Sequence, residues 1–141
     1  MEITKITSHI LQYDMPQTLG YSQQFYNKRT AHLIEVETDE GLTGWGECFG
    51  PGNIALANRT IVQDVIQPMI LGHSPLDRDV LWHKTYNLMP DHGQKGRPMQ
   101  ALSGVDLALR DIAGKVANFQ LYQLIACAHP PKTPRHGNGS V

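Results

Sequence analysis

Apolar positions recur along this chain with two different periods, and the change from one to the other divides it. From Thr30 to Thr38 the alternation is strict: His32, Ile34, Val36 and Thr38 share one face, and Ala31, Leu33, Glu35 and Glu37 share the other. A period of two is that of a half-buried strand. Ile3 to Tyr13 mixes Ile3, Ile6, Ile10 and Leu11 with Thr4, Thr7 and His9 and is bounded by Asp14 and Pro16, which predicts an earlier strand. Asp39-Glu40-Gly41 supplies a tight turn in which Gly41 can take positive φ, and Leu42 to Cys48 runs back as a third strand. The result is a three-stranded antiparallel meander. Asp14 to Arg29 shows no clear period and reads as a long connection of the kind that carries function. Phe49-Gly50-Pro51-Gly52-Asn53 is a breaker cluster that ends the sheet. Both loops leave the end of the meander opposite the Asp39-Glu40-Gly41 turn, which makes them candidate walls of one site.

The rest reads with helical spacing. Ile54 to Met69 carries Leu56, Ile61, Val65 and Met69, with Pro68 marking its end. Leu76 to Met89 follows, with Ser74 or Asp77 as cap and Val80, Leu81, Trp82, Tyr86 and Leu88 as buried candidates. In the third helix Leu102, Val105, Leu109, Ile112 and Val116 recur at threes and fours, and Ala101, Gly104, Ala108 and Ala113 form a second, small-residue flank. Such a helix is covered on more than one side. Gly114 weakens its interior unless another backbone packs there. Leu121 to Ile125 adds a short last turn. The predicted fold is α+β over residues 1–125, a meander packed on a three-helix bundle, and residues 126–141 form a Pro- and Gly-rich irregular tail.

Charge and composition narrow the function. Against 12 Lys+Arg stand 13 Asp+Glu, so there is no basic stripe for a phosphate backbone and nucleic acid is not an expected partner. No apolar run is long enough to span a membrane and the start carries no signal peptide, which points to a cytoplasmic protein. Cys48 and Cys127 lack CxxC spacing and read as free thiols. At 141 residues the chain is too short for a (β/α)₈ barrel, which takes about 250.

Candidate chemistry is sparse. None of the seven histidines stands at HxxxH or HExxH spacing. Ser103-Gly104 lies inside a helix, which excludes a nucleophile elbow. Gly93-Gln94-Lys95-Gly96-Arg97 lacks a P-loop pattern, but it brings two cations to a helix start, where a carboxylate could bind; an ordinary interhelical turn is the alternative. Asp106 and Arg110 are spaced to pair across one turn. Trp45, between Gly44 and Gly46, reads as a ring packed into the core. Glu47 has no second carboxylate nearby in sequence to form an acid/base pair. Tyr21, Phe25 and Tyr26 either anchor the long loop or face a ligand. No complete catalytic constellation emerges from the residues themselves.

The string Gly44-Trp45-Gly46-Glu47 and the run Ala101 to Lys115, read with the order of elements, resemble the N-terminal capping domain of the mandelate racemase/muconate lactonizing enzyme branch of the enolase superfamily. Within it Arg29 to His32, Gly46 to Pro51 and Asp91 to Gly96 look most like galactarolactone cycloisomerases, with sugar-acid dehydratases next. Arg110 stands where relatives carry Trp, and Ile125-Ala126-Cys127 where they carry Leu-Gly-Gly. The Pro-rich end replaces the family's first barrel strand, as a truncated or frameshifted gene would.

The resemblance implies proton abstraction α to a carboxylate, with magnesium stabilising the enediolate in full-length relatives. The general bases and metal carboxylates of those relatives belong to barrel strands, so no catalytic or metal residue carries over to this chain. A capping domain supplies substrate walls. The segments matching those walls give Met15, Gln17, Tyr21, Phe25, Phe49, Gly50, Pro51, Lys95 and Arg97 as substrate-facing residues, meeting a sugar acid or lactone in a full-length context. The alternatives are a protein-interaction module and an inactive gene remnant. Without the barrel an apolar surface edged by Ala101, Ala108 and Leu109 would be bare, which predicts self-association or a protein partner.

Overall fold

A computed structural model describes residues 1–89 and 95–126, with the backbone alone for Tyr21, Gln24 and Ala126. Strands β1 (Ile3–Tyr21), β2 (Gln24–Thr38) and β3 (Thr43–Cys48) form an antiparallel sheet in the order β1-β2-β3. Helices α1 (Ile54–Thr60) and α2 (Gln67–Ile70) are joined by a π-helical turn, Ile61–Ile66, and are followed by α3 (Arg78–Asn87), α4 (Arg97–Ala117) and α5 (Leu121–Ala126). This is the α+β architecture expected, a meander on a helical layer. The tail beyond Ala126, with Cys127, lies outside the described residues.

The alternation in β2 does what its period requires. His32, Ile34 and Val36 are fully buried and Thr38 nearly so, while Glu35 and Glu37 lie on the opposite face. Gly41 adopts φ +80° in the turn between β2 and β3, and its N–H donates to the Thr38 carbonyl at 3.1 Å. The inner face of β3 is Gly44, Gly46 and Cys48, and it lies on α4, whose inward stripe includes Ala101, Gly104, Ala108 and Ile112. A Cβ on Gly44 or Gly46 would stand well under 3.0 Å from the α4 backbone. The small-residue flank of α4 is therefore the surface on which the strand rests. At Gly114 the Phe119 carbonyl takes the space that a side chain would need, as the sequence required.

Several expectations are corrected. Asp14 to Arg29 is not a loop: β1 and β2 continue through it as a hairpin arm, pairing Asp14 with Lys28, Leu19 with Tyr26 and Tyr21 with Gln24 around an irregularity between Asp14 and Leu19. The arm's residues are largely exposed, so the sequence there had no reason to alternate, and backbone pairing defines the strands. Trp45 is not a core ring. Gly44 and Gly46 occupy the inner face, so the strand's pleat turns Trp45 outward, 44% exposed, with its ring 5.4 Å from that of His9.

The first helix buries Ala55, Asn58, Val62, Ile66 and Ile70, while Leu56 is exposed. The buried face is set at Ala55 and Asn58, off the expected Leu56, and is continued by the π-helical turn. That turn is closed by the Gln67 N–H bonding the Val62 carbonyl, five residues back, and its greater width keeps residues four apart in line. Val80, Leu88 and Val116 also point to solvent. Ala101, Ala108 and Leu109 are buried and cannot edge a bare patch. Asp106 and Arg110 do pair, at 2.7 Å, and Arg78 approaches the same carboxylate at 3.7 Å.

Candidate functional site

Three segments meet at the end of the sheet opposite the Gly41 turn. The first is the base of the hairpin arm at Thr30. The second is the Phe49–Asn53 loop, which leaves β3 one residue after Cys48, and the Gly52 N–H donates to the Thr30 hydroxyl at 3.1 Å. The third is the start of α4. Gly96 precedes it at φ +72° and Pro98 lies in its first turn, a position where the missing N–H costs nothing. Two side chains join the second segment to the third. The Asn58 amide donates to the Phe49 carbonyl at 2.7 Å and to Gln100 Oε1 at 3.3 Å, and the same Gln100 oxygen accepts from the Arg97 guanidinium at 3.2 Å.

Of the residues expected to face a substrate, Phe49 is 67% and Phe25 74% exposed, and Pro51, Gln17 and Lys95 are also exposed. Met15 and Arg97 are half-buried. Gly50 is buried against the Ala55 backbone, so it shapes the loop from within. The Phe49 backbone and Arg97 are linked through the Asn58 and Gln100 bonds, with Pro51 two residues along the same loop. Met15, Gln17 and Phe25 lie further out along the arm, in or beyond its irregularity. The side chain of Tyr21 and residues 91–94 fall outside what the structure describes.

A half-buried guanidinium such as that of Arg97 can hold a carboxylate. Among the described residues no group of three His, Cys, Asp or Glu stands close enough to hold a metal ion, so these residues do not fit a magnesium site. Nor is any described helix long and apolar enough to cross a membrane.

Beneath the loop, His32 and Cys48 are cross-strand partners, both buried. Burial pushes the Cys48 thiol up to about 12, and its S–H points at the Ala101 carbonyl 3.7 Å away. At neutral pH it carries almost no thiolate. In a Cys127→Ser background we expect no reaction of Cys48 with a thiol reagent until the domain is unfolded; rapid labelling of the native protein would show that the strand is not seated on α4.

His32 is held below the usual histidine value first by burial and second by the nearby Arg59 charge, and neither ring nitrogen has a hydrogen-bond partner among the described residues. Below the unfolded value of 6.5 the unfolded chain takes up a proton that the folded chain resists, so stability is full above that pH and falls on acidification through it. Urea midpoints at pH 7.5 and 5.5 should show this loss, and His32→Leu should flatten it. An equal loss in the variant would place the acid sensitivity elsewhere.

Sequence reasoning missed Asn58, Gln100 and Thr30, which hold the site together. Asn58 carried a signal: a lone amide four residues before Val62, which begins the buried spacing Val62, Ile66, Ile70.

The sequence matches the family described as mandelate racemase / muconate lactonizing enzyme, N-terminal domain, over residues 5–126. It is 36% identical over 115 residues to the D-galactarolactone cycloisomerase of Agrobacterium fabrum, covering 82% of this chain and 29% of that protein. It is also 36% identical over 95 residues to the D-xylonate dehydratase of Haloferax volcanii, covering 66% of this chain and 22% of that one. Among solved structures, an enolase-superfamily member from Polaromonas sp. JS666 superposes with a TM-score of 0.80 at 38% identity, covering 89% of this chain and 33% of the other. The chain thus spans about 22 to 29% of the two curated relatives. The match of sequence, sheet order and helical layer over nearly all described residues establishes that this chain belongs to the mandelate racemase/muconate lactonizing enzyme N-terminal domain family, within the enolase superfamily.

Proposed function

We propose that this domain is the substrate lid of a sugar-acid cycloisomerase or dehydratase, walling a site whose acid/base groups and magnesium belong to a barrel. The observation that carries the reading is the convergence of the arm base, the Phe49–Asn53 loop and Arg97, locked by side-chain bonds at one end of the sheet. Arg97 would take a substrate carboxylate, and Phe49 and Pro51 would exclude water from the reacting carbon. Titration of the labelled chain with galactarate tests this. Amide shifts should move at Phe49–Asn53 and Arg97–Gln100, and shifts confined to the outer face around Trp45 would refute it. By itself the chain should turn over neither galactarolactone nor an aldonate, with or without magnesium.

A protein-binding or self-associating role is the second reading, favoured by the apolar side chains left in solvent. Leu11, Tyr13, Phe25, Trp45, Phe49 and Ile125 are each at least 44% exposed. Light scattering should report species above 15.7 kDa at high micromolar concentration. A monodisperse 15.7 kDa particle would defeat this second reading.

A further inference from the structure

We propose that Asn58 is a positioning residue that couples the Phe49–Asn53 loop to the start of α4, so that these two walls of the site shift as one. Its place in substrate handling rests on the lid reading above; the coupling itself rests on the hydrogen bonds. Asn58 is 0% exposed on α1. Its amide nitrogen has two protons, and one goes to the Phe49 carbonyl while the other goes to Gln100 Oε1. Gln100 Oε1 has two lone pairs, of which one accepts from Asn58 and the other from Arg97. The stoichiometry is complete at both atoms, so neither bond can be released without exposing a buried polar group.

The amide cannot flip either. Turning it over would aim Asn58 Oδ1, which has no partner among the described residues, at two oxygens that accept only. The carbonyl end of the loop and the guanidinium of Arg97 are therefore held at fixed separation through two side chains, although 48 positions separate residues 49 and 97 in sequence. A substrate that drew Arg97 towards its carboxylate would pull the loop with it.

Amide exchange in the full chain tests the coupling, read at Gly52, Ile54 and Gln100, with the Arg97 guanidinium ¹⁵N signals as a second readout. Asn58→Leu removes both bonds and should speed exchange at all three amides by more than the roughly 2- to 10-fold expected of one net hydrogen bond, and should shift the Arg97 signals. Gln100→Leu, at a half-buried position, keeps the Asn58 bond to Phe49 and should speed the same amides by a smaller factor. In the double variant the effect at Gly52 should equal that of Asn58→Leu alone. Effects that add, or that stay on the side of the substitution, would overturn the proposal. If Asn58→Leu does not fold, Gln100→Leu decides: unchanged exchange at Gly52 and Ile54 rejects the coupling. Galactarate added to the unmodified chain separates the two claims, because a failure to slow exchange at the loop counts against the lid reading and leaves the coupling standing.

Discussion

Gly46→Val should lower the melting temperature of this domain steeply. A Cβ at position 46 would stand well under 3.0 Å from the Gly104 carbonyl and 2.8 Å from the Ala108 nitrogen, both of them helix backbone that cannot rotate aside as a side chain would. Overpacking that forces backbone apart costs about 3 kcal/mol or more, against a total stability of about 5–15 kcal/mol. In a domain of this size that corresponds to a fall in Tm of about 10 °C or more. Gly41→Ala serves as the control, since its Cβ would meet nothing within 4 Å and the penalty is only that of φ +80°. Thermal melts in which the two variants match would mean that α4 is not seated on β3.

Ile34→Ala should be of similar severity, losing about 4 kcal/mol, near the upper end for such truncations. The reason is what surrounds it. Ile34 is fully buried, pairs across the sheet with Gly46 and reaches the space above Gly104. Its neighbours on those sides have no side chains to swing into the cavity, and the helix cannot descend because glycine contacts already fix its distance from the sheet. Val62→Ala, in the π turn, should cost less, because a single helical turn can relax. Urea denaturation of both variants measures the difference. Equal losses would mean that the core around Ile34 collapses freely.

The sequence was readable wherever burial imposed a period. The alternation of His32, Ile34 and Val36, the turn at Gly41 and the threes and fours of α4 each reflect one face in contact with the core. The arm was not readable, since the residues around Asp14 to Arg29 are largely exposed and backbone pairing is what defines the strands there. Trp45 misled because a large ring between two glycines suits either face, and what decides is which residues the helix backbone can approach. The buried face of the first helix starts from Ala55 and Asn58, a small and a polar residue that a count of large apolar positions passes over. At the site, the loop and the cations of the α4 start were visible as composition. The bonds that join them were not, because Asn58, Gln100 and Thr30 meet only after the sheet and helices have packed. Arg110 has a local account in its bond to Asp106.

The lid reading is tested most directly by grafting residues 1–125 in place of the matching domain of the Agrobacterium fabrum D-galactarolactone cycloisomerase and measuring turnover of the lactone. The account predicts a folded chimera that retains turnover, with Arg97→Ala raising KM about 10- to 100-fold, as expected for one lost charge-assisted bond to a carboxylate. A folded chimera with no turnover, or one in which Arg97→Ala and Phe49→Ala leave both kcat and KM unchanged, would contradict it.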